Sequence, residues 1–170
     1  MTINGNGTTV NAAGNSRVFR VDATANVTMN NITITGGGNN AGNAGAGIRN
    51  LGVLTLNDST VTGNNSTSPV GGGGISNEGT GNLVLDNTVV SNNTASVAGA
   101  NGGGILILGG TVTLQNGGSV TGNSANGNGG GIYIAGGALS SSTATFANNT
   151  PNNIYDVNGP TLTIIKVTDP

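Results

Sequence analysis

The hydrophobic residues of this chain lie in short runs in which every second residue is apolar. Examples are Leu54-Thr-Leu56, Leu83-Val-Leu85 and Val112-Thr-Leu114. Because side chains of a β-strand point alternately to opposite faces, each run predicts a short strand with one buried face. The pattern therefore predicts an all-β protein.

A glycine-rich segment that ends in isoleucine recurs along the chain. The isoleucines are Ile48, Ile75, Ile105 and Ile132, and a weaker Asn-Asn-Ile copy ends at Ile154. Their spacings of 27, 30, 27 and 22 residues indicate a repeat protein. An alternating run follows in each repeat, and then a third run of the form Val-x-x-Asn or Phe-x-x-Asn. An earlier unit with the same order begins at Phe19.

Three short strands per repeat, each with an inward apolar face, describe one coil of a three-sided solenoid. We predict a single right-handed parallel β-helix over residues 1–170, of the pectate-lyase type, with about six coils. The coils begin near residues 3, 19, 48, 75, 105 and 132, and a C-terminal coil begins at 154.

One asparagine closes the third run of each repeat. These residues are Asn64, Asn93, Asn123 and Asn149. Because equivalent positions stack on successive coils, we expect a buried amide ladder that satisfies turn carbonyls. Asn50 and Asn77, two residues after a repeat isoleucine, predict a second, shorter ladder.

The pairing of Gly-Ala-Gly-Ile and Gly-Gly-Gly-Ile segments with Phe/Val-x-x-Asn runs resembles the polymorphic outer-membrane-protein repeat. It is also similar to the wider group of bacterial right-handed β-helix repeat proteins. The resemblance covers roughly residues 3 to 164, and Thr2-Ile-Asn-Gly-Asn-Gly7 is similar to the start of such domains. It implies a secreted or cell-surface protein, and several members of the family act in adhesion.

Composition excludes several classes of function. Four cationic and six acidic side chains give a net charge of −2, so we expect no nucleic-acid partner. The chain has no Cys and no His, which removes the commonest metal ligands, and we predict neither a metal nor a cofactor. No stretch approaches the roughly 20 apolar residues of a membrane-spanning helix. The N-terminus has no basic segment followed by an apolar one, so a secretion signal is either absent or was removed, and we expect removal.

Catalysis requires groups that this chain scarcely supplies. A glycosidase requires two carboxylates close to each other. The one such pair is Asp58 and Asp86, which the repeat alignment places as diagonal neighbours on adjacent coils. Turn acids that bond their own backbone are the simpler interpretation. We therefore predict a protein that is not an enzyme, with a carbohydrate-active β-helix as an alternative.

Hydroxyl side chains flank the buried residue of the third run. They form a predicted two-column array, which comprises Thr33, Thr35, Thr60, Thr62, Ser119 and Thr121. Such Thr-x-Thr arrays resemble ice-binding surfaces, although Val89 and Ala147 interrupt the columns. Threonine also suits an exposed strand position for its β-branching alone.

The outward column of the first strand predicts a contact surface. It contains Arg20, Arg49, Ser76, Leu106, Tyr133 and Tyr155. Leu106, Tyr133 and Tyr155 are candidates for contact with a surface protein or glycan, and a loop that covers the column is the alternative. The leading hypothesis is a non-enzymatic, extracellular, adhesin-type module that acts as a rigid scaffold. Its alternative is a structural protein that assembles end to end through uncapped strand edges.

Overall fold

A computed structural model describes residues 1–38, 42–159 and 163–164. Within these ranges the chain is an all-β parallel solenoid of about five turns without helices, which confirms the predicted fold class. The described residues leave out 39–41, 160–162 and 165–170. Most of the predicted C-terminal coil after residue 159 therefore lies outside them.

The repeat isoleucines begin the strands of a six-stranded sheet, which we call the isoleucine sheet. Its order is β2 (Phe19–Val21), β4 (Ile48–Asn50), β8 (Ile75–Asn77), β12 (Ile105–Ile107), β16 (Ile132–Ile134) and β19 (Ile154–Asp156). Each strand is only three residues long, and each lies one coil away from the next. The isoleucine sheet therefore forms one side of the solenoid.

The second and third runs of each repeat belong together to one eleven-stranded sheet, which we call the long sheet. At its N-terminal end lie β1 (Thr2–Asn11) and β3 (Asn26–Thr35), which pair with each other. From β3 the sheet continues through β5 (Val53–Asn57), β9 (Asn82–Asp86), β13 (Thr111–Gln115), β17 (Ala138–Ser141) and β20 (Thr163–Ile164). It also continues through β6 (Thr60–Thr62), β10 (Val89–Ser91), β14 (Ser119–Thr121) and β18 (Thr145–Ala147).

A third sheet, which the sequence pattern did not predict, follows the ladder asparagines. It consists of β7 (Asn65–Ser66), β11 (Thr94–Ala95) and β15 (Ser124–Ala125). Two-residue strands carry no apolar alternation, so no sequence period marks them. The strand pairings in all three sheets are parallel, as stacked coils require.

Left-handed corners separate the second and third runs. Asn31, Asp58, Asn87 and Asn116 occupy this corner with φ between 44° and 53°. Asn and Asp tolerate this conformation better than other residues with a side chain, because their short polar groups bond locally. A second corner, directly before each ladder asparagine, holds Gly63, Asn92, Gly122 and Asn148.

The core runs through the middle of the coils as columns of branched aliphatic side chains. Ile75 of the isoleucine sheet and Leu83, Leu85 and Val90 of the long sheet are completely buried in one coil. The equivalent residues of the neighbouring coils are buried in the same way. The interior thus repeats, and differences between coils lie on the outside.

Candidate functional site

The four predicted ladder residues are buried and bond from coil to coil. Nδ2 of Asn64 donates to Oδ1 of Asn93 at 2.9 Å, and the links from Asn93 to Asn123 and from Asn123 to Asn149 are both 3.0 Å. Each Nδ2 also donates to a carbonyl one coil back, as from Asn93 to Val61 at 2.9 Å. Each amide therefore makes hydrogen bonds both to the coil before its own and to the coil after it.

The shorter predicted ladder consists of one link. Nδ2 of Asn50 donates to Oδ1 of Asn77 at 2.7 Å, and Nδ2 of Asn77 donates to the carbonyl of Gly109 at 2.8 Å. Ile107 takes the next position in the column. Oδ1 of Asn50 is buried and has no hydrogen-bond partner among the described residues.

The predicted hydroxyl residues lie on the outer face of the long sheet. Thr33 stands beside Thr60, and the column continues through Val89, Ser119 and Thr145. The second column contains Thr62, Ser91, Thr121 and Ala147, while Thr35 lies beside the Gly63 corner. Oγ of Ser91 donates to Oγ1 of Thr62 at 3.3 Å. Exposed Val89 interrupts the first column, so the array is a partial one.

Asp58 and Asp86, the candidate carboxylate pair, bind amides on the surface rather than each other. Nδ2 of Asn87 donates to Asp58 at 2.7 Å. Gln115 and Asn116 each donate to Asp86 at 2.8 Å, and these hydrogen bonds lower the pKa of the Asp86 carboxyl. A lowered pKa does not suit a general acid, which must hold its proton near neutral pH.

The strand register places all six residues of the predicted outward column side by side. They run in the order Arg20, Arg49, Ser76, Leu106, Tyr133, Tyr155. The prediction that Leu106 is an exposed contact residue is wrong, because its side chain is only 1% exposed. The turn before β12 lies against it: a Cβ added at Gly102 would stand 2.9 Å from the Cβ of Leu106. The middle of the column, at Ser76 and Leu106, is therefore buried.

Tyr133 and Tyr155 lie at the C-terminal end of this column and stack on each other. Their ring centroids are 5.5 Å apart and their planes differ by 4°. Tyr155 is 38% exposed, and Tyr133 is partly buried. The parallel register of β16 and β19 fixes the stack, because it sets the two residues directly side by side.

Two apolar residues that sequence reasoning missed extend this end of the face. Leu108 and Val157 follow their strands by one residue and are 39% and 46% exposed. They occupy equivalent positions two coils apart, with Ala135 between them. We call Tyr133, Tyr155, Leu108 and Val157 the aromatic patch. Leu108 and Val157 each stand two residues after an outward residue, so continued alternation is the signal that predicts them.

The N-terminal half of the same face is charged. Arg49 donates to both carboxylate oxygens of Glu78, at 2.7 Å for the shortest contact, and this pairing raises the pKa of Arg49. Oγ of Ser76 donates to the same carboxylate at 2.9 Å. Arg17 binds the carbonyls of Gly45 and Ala44 at 2.7 and 2.9 Å, and burial lowers its pKa. Arg17 therefore fastens the glycine-rich turn before β4 to the segment that leads into β2.

In the ranges that the structure covers, no three His, Cys, Asp or Glu side chains gather as a metal site would require. The same residues contain no helix that is long and apolar enough to cross a membrane. The sequence matches no family model, and searches with it find no similar curated protein and no similar solved structure.

Proposed function

We propose that this chain is a non-enzymatic extracellular surface module that presents the aromatic patch to a protein partner at a cell surface. The observation that carries the proposal is the exposure of Leu108, Tyr155 and Val157 beside the stacked tyrosines. Exposed apolar groups that gather on one face indicate an interaction site, whereas single exposed ones do not.

The scaffold holds this patch rigidly. Strand β16 is paired on both sides, with β12 and with β19, and its inward residues Ile132 and Ile134 are buried. Residues held in this way lose little further conformational freedom on binding, which lowers the entropic cost of association. A rigid spacer with a fixed contact face is the mode of action expected of an adhesin-type module.

A protein partner fits the patch better than a glycan does. The Tyr133–Tyr155 stack takes up one face of each ring, so less ring surface is left for a sugar to stack on. Tyrosines combined with exposed aliphatic side chains are typical of the apolar centre of a protein interface, in which tyrosine is enriched. The bacterial, secreted location rests on the resemblance of the repeats.

Binding of the labelled 170-residue chain to intact bacterial cells tests the proposal. We expect the double variant Tyr133→Ser, Tyr155→Ser to lose most of the binding. A second double variant, Val53→Ser with Val89→Ser, removes comparably exposed side chains from the long sheet and should bind as wild type does. Thermal unfolding of both variants shows whether the fold is kept.

Pretreatment of the cells identifies the chemistry of the partner. Protease should abolish binding, and periodate, which oxidises sugars, should leave it intact. The proposed contact surface is wrong if the tyrosine variant binds as well as wild type. The proposed protein partner is wrong if only periodate abolishes binding.

A further inference from the structure

The isoleucine sheet bears two outward columns of side chains that run side by side along the solenoid. The Arg–Tyr column is the register described above: Arg20, Arg49, Ser76, Leu106, Tyr133 and Tyr155. The Asp–Val column stands two residues further along each coil: Asp22, Leu51, Glu78, Leu108, Ala135 and Val157. Backbone hydrogen bonds from the N–H groups of Leu108 and Val157 to the preceding coil keep this second column in the same stack. Each coil therefore offers one residue of each column on this face.

The two columns carry opposite charges in the N-terminal half of the face. The cations Arg20 and Arg49 stand in the Arg–Tyr column, whereas the acids Asp22 and Glu78 stand in the Asp–Val column. Arg49 and Glu78 are paired with each other and largely buried. Arg20 and Asp22 are 55% and 66% exposed, so both keep surface that a partner can contact.

In the C-terminal half the two columns differ in size instead. The Arg–Tyr column holds the stacked rings of Tyr133 and Tyr155, and the Asp–Val column holds the smaller Ala135 and Val157. The described residues of both columns in this half carry no charge. This end of the face is therefore a row of large apolar groups beside a row of small ones.

A two-fold axis parallel to the solenoid, placed between two copies that face each other, exchanges the two columns. Each residue of the Arg–Tyr column then meets the Asp–Val residue of the same coil in the second copy. Arg20 meets Asp22 at one end, and Tyr155 meets Val157 at the other, in both directions. Opposite charges and complementary sizes thus come together at both exposed ends of the face.

The other face-to-face arrangement matches poorly. A two-fold axis at right angles to the solenoid reverses the order of the coils and sets Asp22 of one copy against Val157 of the other. A carboxylate would then lose water against an apolar side chain, which costs free energy. The residues of this face therefore favour two copies that point in the same direction.

We propose that two copies of this chain associate face to face through the isoleucine sheet as a parallel, closed, two-fold dimer. The inference rests on the proposed function, because the aromatic patch forms one end of the contact, and it names the partner of that patch as a second copy of the chain. Both copies point the same way, as two chains displayed on one cell surface do. The contact uses the same face of each copy, so it closes after two subunits.

The area of the face sets the strength of the contact. Six stacked strands about 4.8 Å apart, with outward residues on about 10 Å of each coil, give roughly 250–300 Å² per copy. Such a small contact is typical of a weak, transient complex. We expect a Kd of about 10 μM to 1 mM for the chain in solution. The high local concentration of chains that share one surface then favours the dimer.

Sedimentation of the 170-residue chain at concentrations up to about 1 mM tests the dimer. We expect a monomer–dimer equilibrium with no larger species. Val157→Asp sets a charge against Tyr155 of the second copy and should weaken association at least about ten-fold. Val53→Asp, on a comparably exposed valine of the long sheet, should leave association unchanged. A monomer at every concentration, larger assemblies, or equal effects of the two variants overturn the proposal.

Charge exchange tests the parallel orientation. Arg20→Asp and Asp22→Arg should each weaken the homodimer several-fold, because like charges then face each other across the axis. An equimolar mixture of the two variants should restore association as a heterodimer. Both side chains are exposed, so the fold should be kept in either variant, which thermal unfolding verifies. If the mixture associates no better than the separate variants, the parallel register is wrong.

The source of the cells separates this inference from the proposed function. Cells that do not display the chain should fail to bind it, since its partner is a second copy. If the chain is monomeric and binds such cells through Tyr133 and Tyr155, the partner is a different protein and only the dimer is refuted. If the dimer forms and the tyrosine variant binds cells as wild type does, only the proposed function is refuted.

Discussion

Gly104 lies against the side chain of Asn123. A Cβ added to Gly104 would stand 2.9 Å from Nδ2 of Asn123 and 2.6 Å from the carbonyl oxygen of Gly131, closer than such atoms can approach. The same relationship joins Gly74 to Asn93 and Gly131 to Asn149. The glycine before each repeat isoleucine therefore makes room for the ladder amide of its own coil, so the two sequence motifs meet in space.

Gly104→Ala should lower the free energy of unfolding by about 2–3 kcal/mol, because the methyl group displaces either the ladder amide or the next coil. Gly118→Ala is the matched control, since its Cβ finds no atom closer than 3.3 Å. It should remain within about 1 kcal/mol of wild type. Urea denaturation measures both values, and equal values for the two variants would contradict the role given to Gly104.

Asn123→Ala should destabilise the protein by about 2–4 kcal/mol, because buried groups of the neighbouring coils lose their partners. Asn93, for example, loses the acceptor of its backbone N–H and one of the two acceptors of its Nδ2. Asn153 accepts from Nδ2 of Asn149, the last ladder residue, at 2.8 Å. Asn153→Ala should cost only about 1 kcal/mol, since Asn153 is partly exposed and water can replace it. Chemical denaturation compares the two, and an equal loss would show that position in the ladder is unimportant.

The Arg49–Glu78 pair should couple by about 1–2 kcal/mol in a double-mutant cycle, since it is bidentate and largely buried. Its side chains are 22% and 12% exposed. The Arg20–Asp22 pair is 55% and 66% exposed and should couple by less than about 0.5 kcal/mol. Alanine variants and thermal unfolding at low protein concentration give both cycles, and an equal coupling would refute the argument from burial.

Replacement of Gln115 and Asn116 by alanine should raise the pKa of Asp86 toward its ordinary value, since both amides bond the ionised carboxylate. In wild type the folded-state pKa lies below the unfolded one. The ionised group therefore stabilises the fold above the unfolded pKa, and this contribution is lost as the pH falls through the folded pKa. Carboxyl NMR titration measures the shift. Asn57→Ala is the control, because Asn57 lies beside Asp86 but donates to Asn30.

Much of the fold follows from local pattern. Alternation places Leu83 and Leu85 inside and Val84 outside without knowledge of any partner, because a strand has only two faces. The spacing of the isoleucines sets which residues stack, and the register found for Tyr133 and Tyr155 follows from it. The short strands β7, β11 and β15 escaped prediction, since two residues carry no period.

The candidate site was predictable only in part. Outward direction follows from alternation, but whether an outward residue meets water depends on what else in the chain passes over it. Leu106 and Tyr133 occupy adjacent positions of one column, yet the first is buried while the second remains partly exposed.

The sequence by itself determined the class of fold, the inward columns and the stacking of the ladder asparagines, because these depend on a repeat period and on two-faced strands. Tertiary structure alone decided that Leu106 is buried and that Arg49 finds Glu78 in the next coil. Those features depend on turns of unequal length and on contacts between residues far apart in sequence, which no local pattern encodes.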